Sequence, residues 1–155
     1  MTYVLGAPGS GKSTIASLMP GILRSHVILD WDAFMPAASE LAKRDLRRSP
    51  STWPSYRRLV RAVVDTIQPT PLVVFGVCTP DELEGWPIDA WTLLDCSDDE
   101  RQQRLGDHLS ADEIRDALAD ATQYRSLDLP VIDTTGKTPQ AVANEVAHRI
   151  RQQAL

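Results

Sequence analysis

Gly6-Ala7-Pro8-Gly9-Ser10-Gly11-Lys12-Ser13 decides the fold. This stretch meets the pattern G-x-x-x-x-G-K-[ST] in full, follows the short apolar run Thr2 to Leu5, and precedes an apolar-periodic run from Ile15 to Met19. A strand, a glycine-rich loop and a helix in that order form the context the pattern requires. The glycines let backbone N–H groups turn inward around a phosphate, and the helix directs its positive end at the same anion. Lys12 is then placed to reach the β- and γ-phosphates and Ser13 to hold magnesium, with Thr14 a further candidate phosphate contact. ATP, or GTP, with Mg2+ is the expected ligand. Pro20-Gly21 is expected to end the helix.

Beyond the loop, apolar runs and helical stripes alternate. Val27 to Leu29 closes on Asp30-Trp31-Asp32, and Leu72 to Val77 is continuous enough for a strand buried on both faces. Between them Tyr56, Leu59, Val60, Val63, Val64 and Ile67 form the stripe of an amphipathic helix. Trp91 to Leu94 makes a fourth strand. Ser97 with Glu100 and Ser110 with Glu113 then have capping-box spacing, the second opening a helix to about Arg125. Val131 to Asp133 supplies a fifth strand, and Thr138-Pro139 opens a last helix with Val142, Val146 and Ile150 on its buried side. Such alternation predicts one α/β domain over residues 1–155, a parallel sheet covered on both faces, with ligands beyond the carboxyl ends of its strands.

Two acids follow the second strand. If the chain stays extended through Trp31, Asp30 and Asp32 lie on one side, where one can orient water on magnesium and the other can accept the proton of an attacking hydroxyl. Trp31 reads as packing. Both acids could instead cap a helix, which Pro36 suggests begins just beyond.

Composition narrows the setting. Two cysteines, Cys78 and Cys96, make neither a disulfide framework nor a metal-ligand spacing. No apolar stretch approaches the roughly 20 residues that span a bilayer, and no signal peptide is evident, so a cytoplasmic protein without membrane contact is expected. The net charge of −5 opposes broad nucleic-acid binding. Residues 41–64 depart from that average, with seven basic residues against Asp45 alone. This patch, with Trp53 and Tyr56, suits an anionic or nucleotide acceptor, and Arg57 and Trp53 are the candidate acceptor contacts.

The loop from Gly6 to Thr14 and the acid pair after strand two resemble the P-loop kinases of small molecules and nucleotides: the shikimate and gluconate kinase group, chloramphenicol phosphotransferase, zeta toxins and the polynucleotide kinase domain. The resemblance covers nearly the whole chain. It implies a three-layer P-loop NTPase fold with a five-stranded parallel sheet in the order 2-3-1-4-5, Asp30 assisting the metal and Asp32 acting as base on the acceptor hydroxyl. By the same resemblance, Arg101 and Arg104 approach the nucleotide phosphates or stack on adenine, and a short lid lies at about 101–113. Thr135 lines the adenine pocket, and the acceptor binds within about 33–61. One departure from the pattern is that strand three ends Phe75-Gly76-Val77-Cys78, without the acid many P-loop ATPases carry there. The expected activity is transfer of the γ-phosphoryl group to a hydroxyl of a metabolite, nucleoside or antibiotic. A nucleoside monophosphate kinase, a regulatory module with little turnover, and a polynucleotide 5′-hydroxyl kinase are the alternatives. The acceptor's identity and the oligomeric state stay open.

Overall fold

The computed structural model describes residues 1–106 and 108–153; Asp107, within the expected lid, lies outside the described residues. Five strands, β1 Thr2–Leu5, β2 Val27–Asp30, β3 Leu72–Gly76, β4 Ala90–Asp95 and β5 Val131–Asp133, form one sheet. Its order is β2-β3-β1-β4-β5, and every neighbouring pair is parallel. The expected architecture and strand order are both present.

Alternation along β1 explains the two cores. Tyr3 and Leu5 enter a cluster with Trp31, Tyr56, Val60 and Tyr124, while Val4 enters the opposite one with Ile15, Met19, Val142 and Val146. Helix α1 (Lys12–Ile22) and helix α6 (Pro139–Gln153) cover the second face. The first is covered by α3 (Trp53–Ile67) and by α5 (Ala111–Arg125). Because both faces are covered, β3 is buried at all five positions, as a central parallel strand requires.

Several local expectations need correction. Helix α1 runs through Pro20 to Ile22; in the last turn proline forfeits little, and Leu23 N–H still closes on Met19 O at 2.8 Å. On α3, Tyr56, Val60 and Val64 are buried, but Leu59 is 47% exposed because the packed stripe is narrower than the apolar one. The capping box at Ser110 and Glu113 is complete. At Ser97 only half of one forms: its hydroxyl accepts from Glu100 N–H, while the Glu100 carboxylate turns to Arg104 and Gly136 N–H.

The largest departure follows β2. The backbone does not stay extended through Trp31; residues Trp31–Phe34 form a 3-10 turn leading into α2 (Met35–Ala42). Asp30 Oδ1 accepts from Asp32 N–H at 3.0 Å and caps that turn. Trp31 is fully buried against Tyr56 and Trp86, and its carbonyl accepts from the Tyr56 hydroxyl. The turn is thereby fixed where it leaves the strand, with Asp30 turned onto the Asp32 backbone.

Candidate active site

The phosphate loop is held by its carbonyls. Arg101 donates to Pro8 O at 2.5 Å, Arg104 to Gly9 O at 3.0 Å, and the Thr134 hydroxyl to Ser10 O at 3.3 Å. With these oxygens occupied, the loop presents its N–H groups to an anion. Gly9 and Gly11 have φ of 80° and 92°, and Gly11 caps α1 in the left-handed conformation. A Cβ on Gly9 would also press on Arg101 and Leu105 at 3.0–3.1 Å, so glycine is required there twice over.

A cavity of about 620 Å³ opens on this loop, lined from Pro8 to Ile15 and by Asp32, Arg47, Arg104, Thr134 and Lys137. Lys12 is only 6% exposed. Burial lowers its ammonium pKa, opposed by Asp32 and then Asp30. A buried cation at the foot of a helix N-terminus is suited to a polyphosphate, which would supply the countercharge that water no longer gives. Ser13 and Thr14 lie exposed in the first turn of α1 and line the cavity. Gly6 and Ala7 lie deeper and do not; Gly6 N–H is taken by Gly76 O.

A second cavity, of about 710 Å³, adjoins the first and shares Pro8, Asp32 and Arg47 with it. Its far walls are Trp53, the end of β3 at Val77 and Cys78, the following loop through Glu82, and Asp120 and Tyr124 of α5. Burial pushes the Cys78 thiol up to about 12, so it is a packing group and no nucleophile. At the end of β3, a side chain on Gly76 would collide with the Tyr3 hydroxyl, which accepts from Cys78 N–H at 3.2 Å. An acid at that position has no room.

The structure brings together Lys12, Ser13, Asp32 and Arg104 on the first cavity and Asp32 and Trp53 on the second. Other candidates stand apart. Asp30 lines neither cavity; its Oδ1 caps the turn, while its charge still acts on Lys12. Arg101 is fully buried and ion-paired to Asp95 at 2.5 Å, so it braces the loop from behind. Thr135 faces away, its hydroxyl accepting from Ser97 N–H, because Asp133 caps Thr135 N–H and turns the chain there; Thr134 lines the cavity in its place. Arg57 is also off the walls, its guanidinium held by Glu82 O at 3.1 Å. Arg47 occupies both cavities, carried there by a turn that Asp45 caps through Arg47 N–H. Nothing in the seven-cation run marked Arg47 out from its neighbours.

For magnesium, no group of three or more His, Cys, Asp or Glu gathers among the described residues. A site completed by the nucleotide's own oxygens, with one hydroxyl and few carboxylates, suits that ion, and the Ser13 hydroxyl on the cavity wall fits it. No described helix is long and apolar enough to cross a membrane.

No protein-family model matches the chain, and no curated protein matches it. Solved structures do. TT1252 from Thermus thermophilus is similar at a TM-score of 0.68 and 20% identity, over 99% of this chain and 97% of that one. A sugar kinase from Janibacter sp. HTCC2649 is similar at 0.65 and 19%, over 97% and 93%. Shikimate kinase from Aquifex aeolicus is similar at 0.62 and 17%, over 99% and 97%. The chain therefore has the P-loop fold found in small-molecule kinases, in agreement with the resemblance seen in its sequence. Identities this low speak for the fold alone.

Proposed function

We propose that this protein transfers the γ-phosphoryl group of ATP to a hydroxyl of a small acceptor. One observation carries the reading: a single free carboxylate, Asp32, stands on the wall common to the phosphate-loop cavity and the cavity beside it. A nucleotide in the first would direct its terminal phosphate at a compound in the second. As the acceptor oxygen bonds to γ-phosphorus, its proton passes to Asp32, and the bond from phosphorus to the β,γ-bridging oxygen breaks to release ADP. Lys12 and Arg104 compensate the charge on the phosphate oxygens.

Ser13 would hold magnesium, which when bound draws charge from the β- and γ-phosphates. Asp30 acts at one remove, by fixing the turn that carries Asp32. A phosphate acceptor, as in a nucleoside monophosphate kinase, calls for several cations; among the described residues lining the second cavity, Arg47 is the sole lysine or arginine. An alcohol is the better fit.

ADP release from purified protein with ATP and magnesium, alone and with pools of alcohols or of nucleoside monophosphates, tests this reading. We expect an alcohol pool to raise turnover at least tenfold over the blank. Stimulation by monophosphates alone would refute it.

A further inference from the structure

The second cavity has a charge that its basic neighbourhood conceals. Of the arginines on α3, Arg57 is tied to Glu82 O. Arg61 is tied to Asp65 at 2.7 Å and to Gly85 O at 2.8 Å, and lies over the Trp86 ring. These cations anchor the backbone of the loop after β3, and neither lines the cavity. What reaches the wall from that loop is acidic, Asp81 and Glu82, and α5 adds Asp120 from the other side. With Asp32, four carboxylates from three separate segments meet Arg47 alone.

The acids differ in how they are satisfied. Asp81 and Glu82 both bind Thr79, the first through its hydroxyl at 2.5 Å and the second through its N–H at 2.9 Å. Asp120 is half-buried, and among the described residues nothing hydrogen-bonds to its carboxyl; burial first and then Asp116 raise its pKa, with Lys12 and Arg101 opposing more weakly. A carboxylate withdrawn from water without a partner costs stability in the empty protein. A bound cation would remove that cost, and Trp53 puts an aromatic side chain on the same cavity wall.

We propose that the acceptor is a cationic alcohol, a hydroxyl compound carrying a protonated amine, selected by Asp120 with Glu82 while its hydroxyl is presented to Asp32. The inference rests on reading this cavity as the acceptor site, and it reverses the anionic acceptor that the basic run in the sequence suggests. Asp120 is the specificity-determining residue, since apart from Asp32 it is the one acid on this wall that accepts no hydrogen bond among the described residues.

The test uses two charge-matched series, glucosamine, glucose and glucuronate, and 2-aminoethanol, ethanediol and glycolate, each titrated by ligand-observed NMR into protein saturated with ADP and magnesium. The amine in each series should bind about tenfold more tightly than its neutral partner, with the acid weakest, and Asp120→Asn should erase most of that preference. Equal or tighter binding of the neutral or acidic members, no binding by any member, or an amine preference that survives Asp120→Asn would overturn the inference. Phosphoryl transfer to the same compounds is followed separately. Turnover of neutral or acidic alcohols leaves the kinase reading intact while the charge preference fails, and amine binding without turnover fails the kinase reading alone.

Discussion

At the level of single residues, the loop lysine is held at a cost. Lys12 is buried with a pKa lowered chiefly by desolvation. Its folded pKa lies below the unfolded 10.5, so between those two values the unfolded chain binds more protons and stability rises with pH. Below the folded pKa the whole cost of the buried charge is present. Lys12→Met should therefore stabilise the nucleotide-free protein at neutral pH by about 1 kcal/mol, roughly 2–4 °C in Tm, while abolishing turnover. It should also flatten the rise in stability toward pH 10. Thermal melts across pH would show this, and a variant less stable than the parent at pH 7 would contradict it. The role of Lys12 was legible from its motif alone, because backbone geometry fixes that loop whatever surrounds it. Arg57 and Arg47 were not separable in the same way. Which arginine reaches a cavity depends on a turn capped by Asp45 and on a loop carbonyl some 25 positions away in sequence.

Among the elements, the turn after β2 matters most for the chemistry. Strand periodicity placed Asp30 and Asp32 together only on the assumption of extended backbone. The alternative reading of the acids as caps describes Asp30, whose side chain closes the 3-10 turn on Asp32 N–H. The deciding contacts are tertiary: Trp31 buried among Tyr56 and Trp86 fixes where the strand must stop. A capping role has a testable signature. Asn caps as well as Asp, so Asp30→Asn should keep turnover within about threefold, whereas Asp30→Ala should lose roughly 1 kcal/mol of stability and about tenfold in turnover as Asp32 is misplaced. If Asp30→Asn is as damaging as Asp30→Ala, the carboxylate acts on magnesium and the capping account fails. The same limit of local reading applies to Thr134 and Thr135, where one capped turn exchanges their roles.

For the whole molecule, the sheet order puts β1 between β3 and β4, so the phosphate loop leaves the centre of the sheet. The ends of β2 and β3 then border it on one side, and α4 (Asp98–Leu105) brings the arginines that brace it on the other. The alternation of strands and helices was plain in the sequence, as was the loop that orients everything else. The acceptor cavity was not. Its walls come from residues as distant as Asp32 and Tyr124, and acids outnumber cations on them because Arg57 and Arg61 are turned onto loop carbonyls instead of the wall.

In the proposed reaction Asp32, on the wall between two cavities, serves the acceptor side of the phosphoryl transfer and is dispensable for holding the nucleotide. This role is tested most directly by measuring nucleotide affinity and acceptor-dependent turnover together for the parent protein and Asp32→Asn. Asp32→Asn should keep its ATP affinity within a factor of about 3 of the parent while turnover falls by roughly 100-fold or more. Turnover unchanged by Asp32→Asn, or an affinity that falls in step with turnover, would contradict that role.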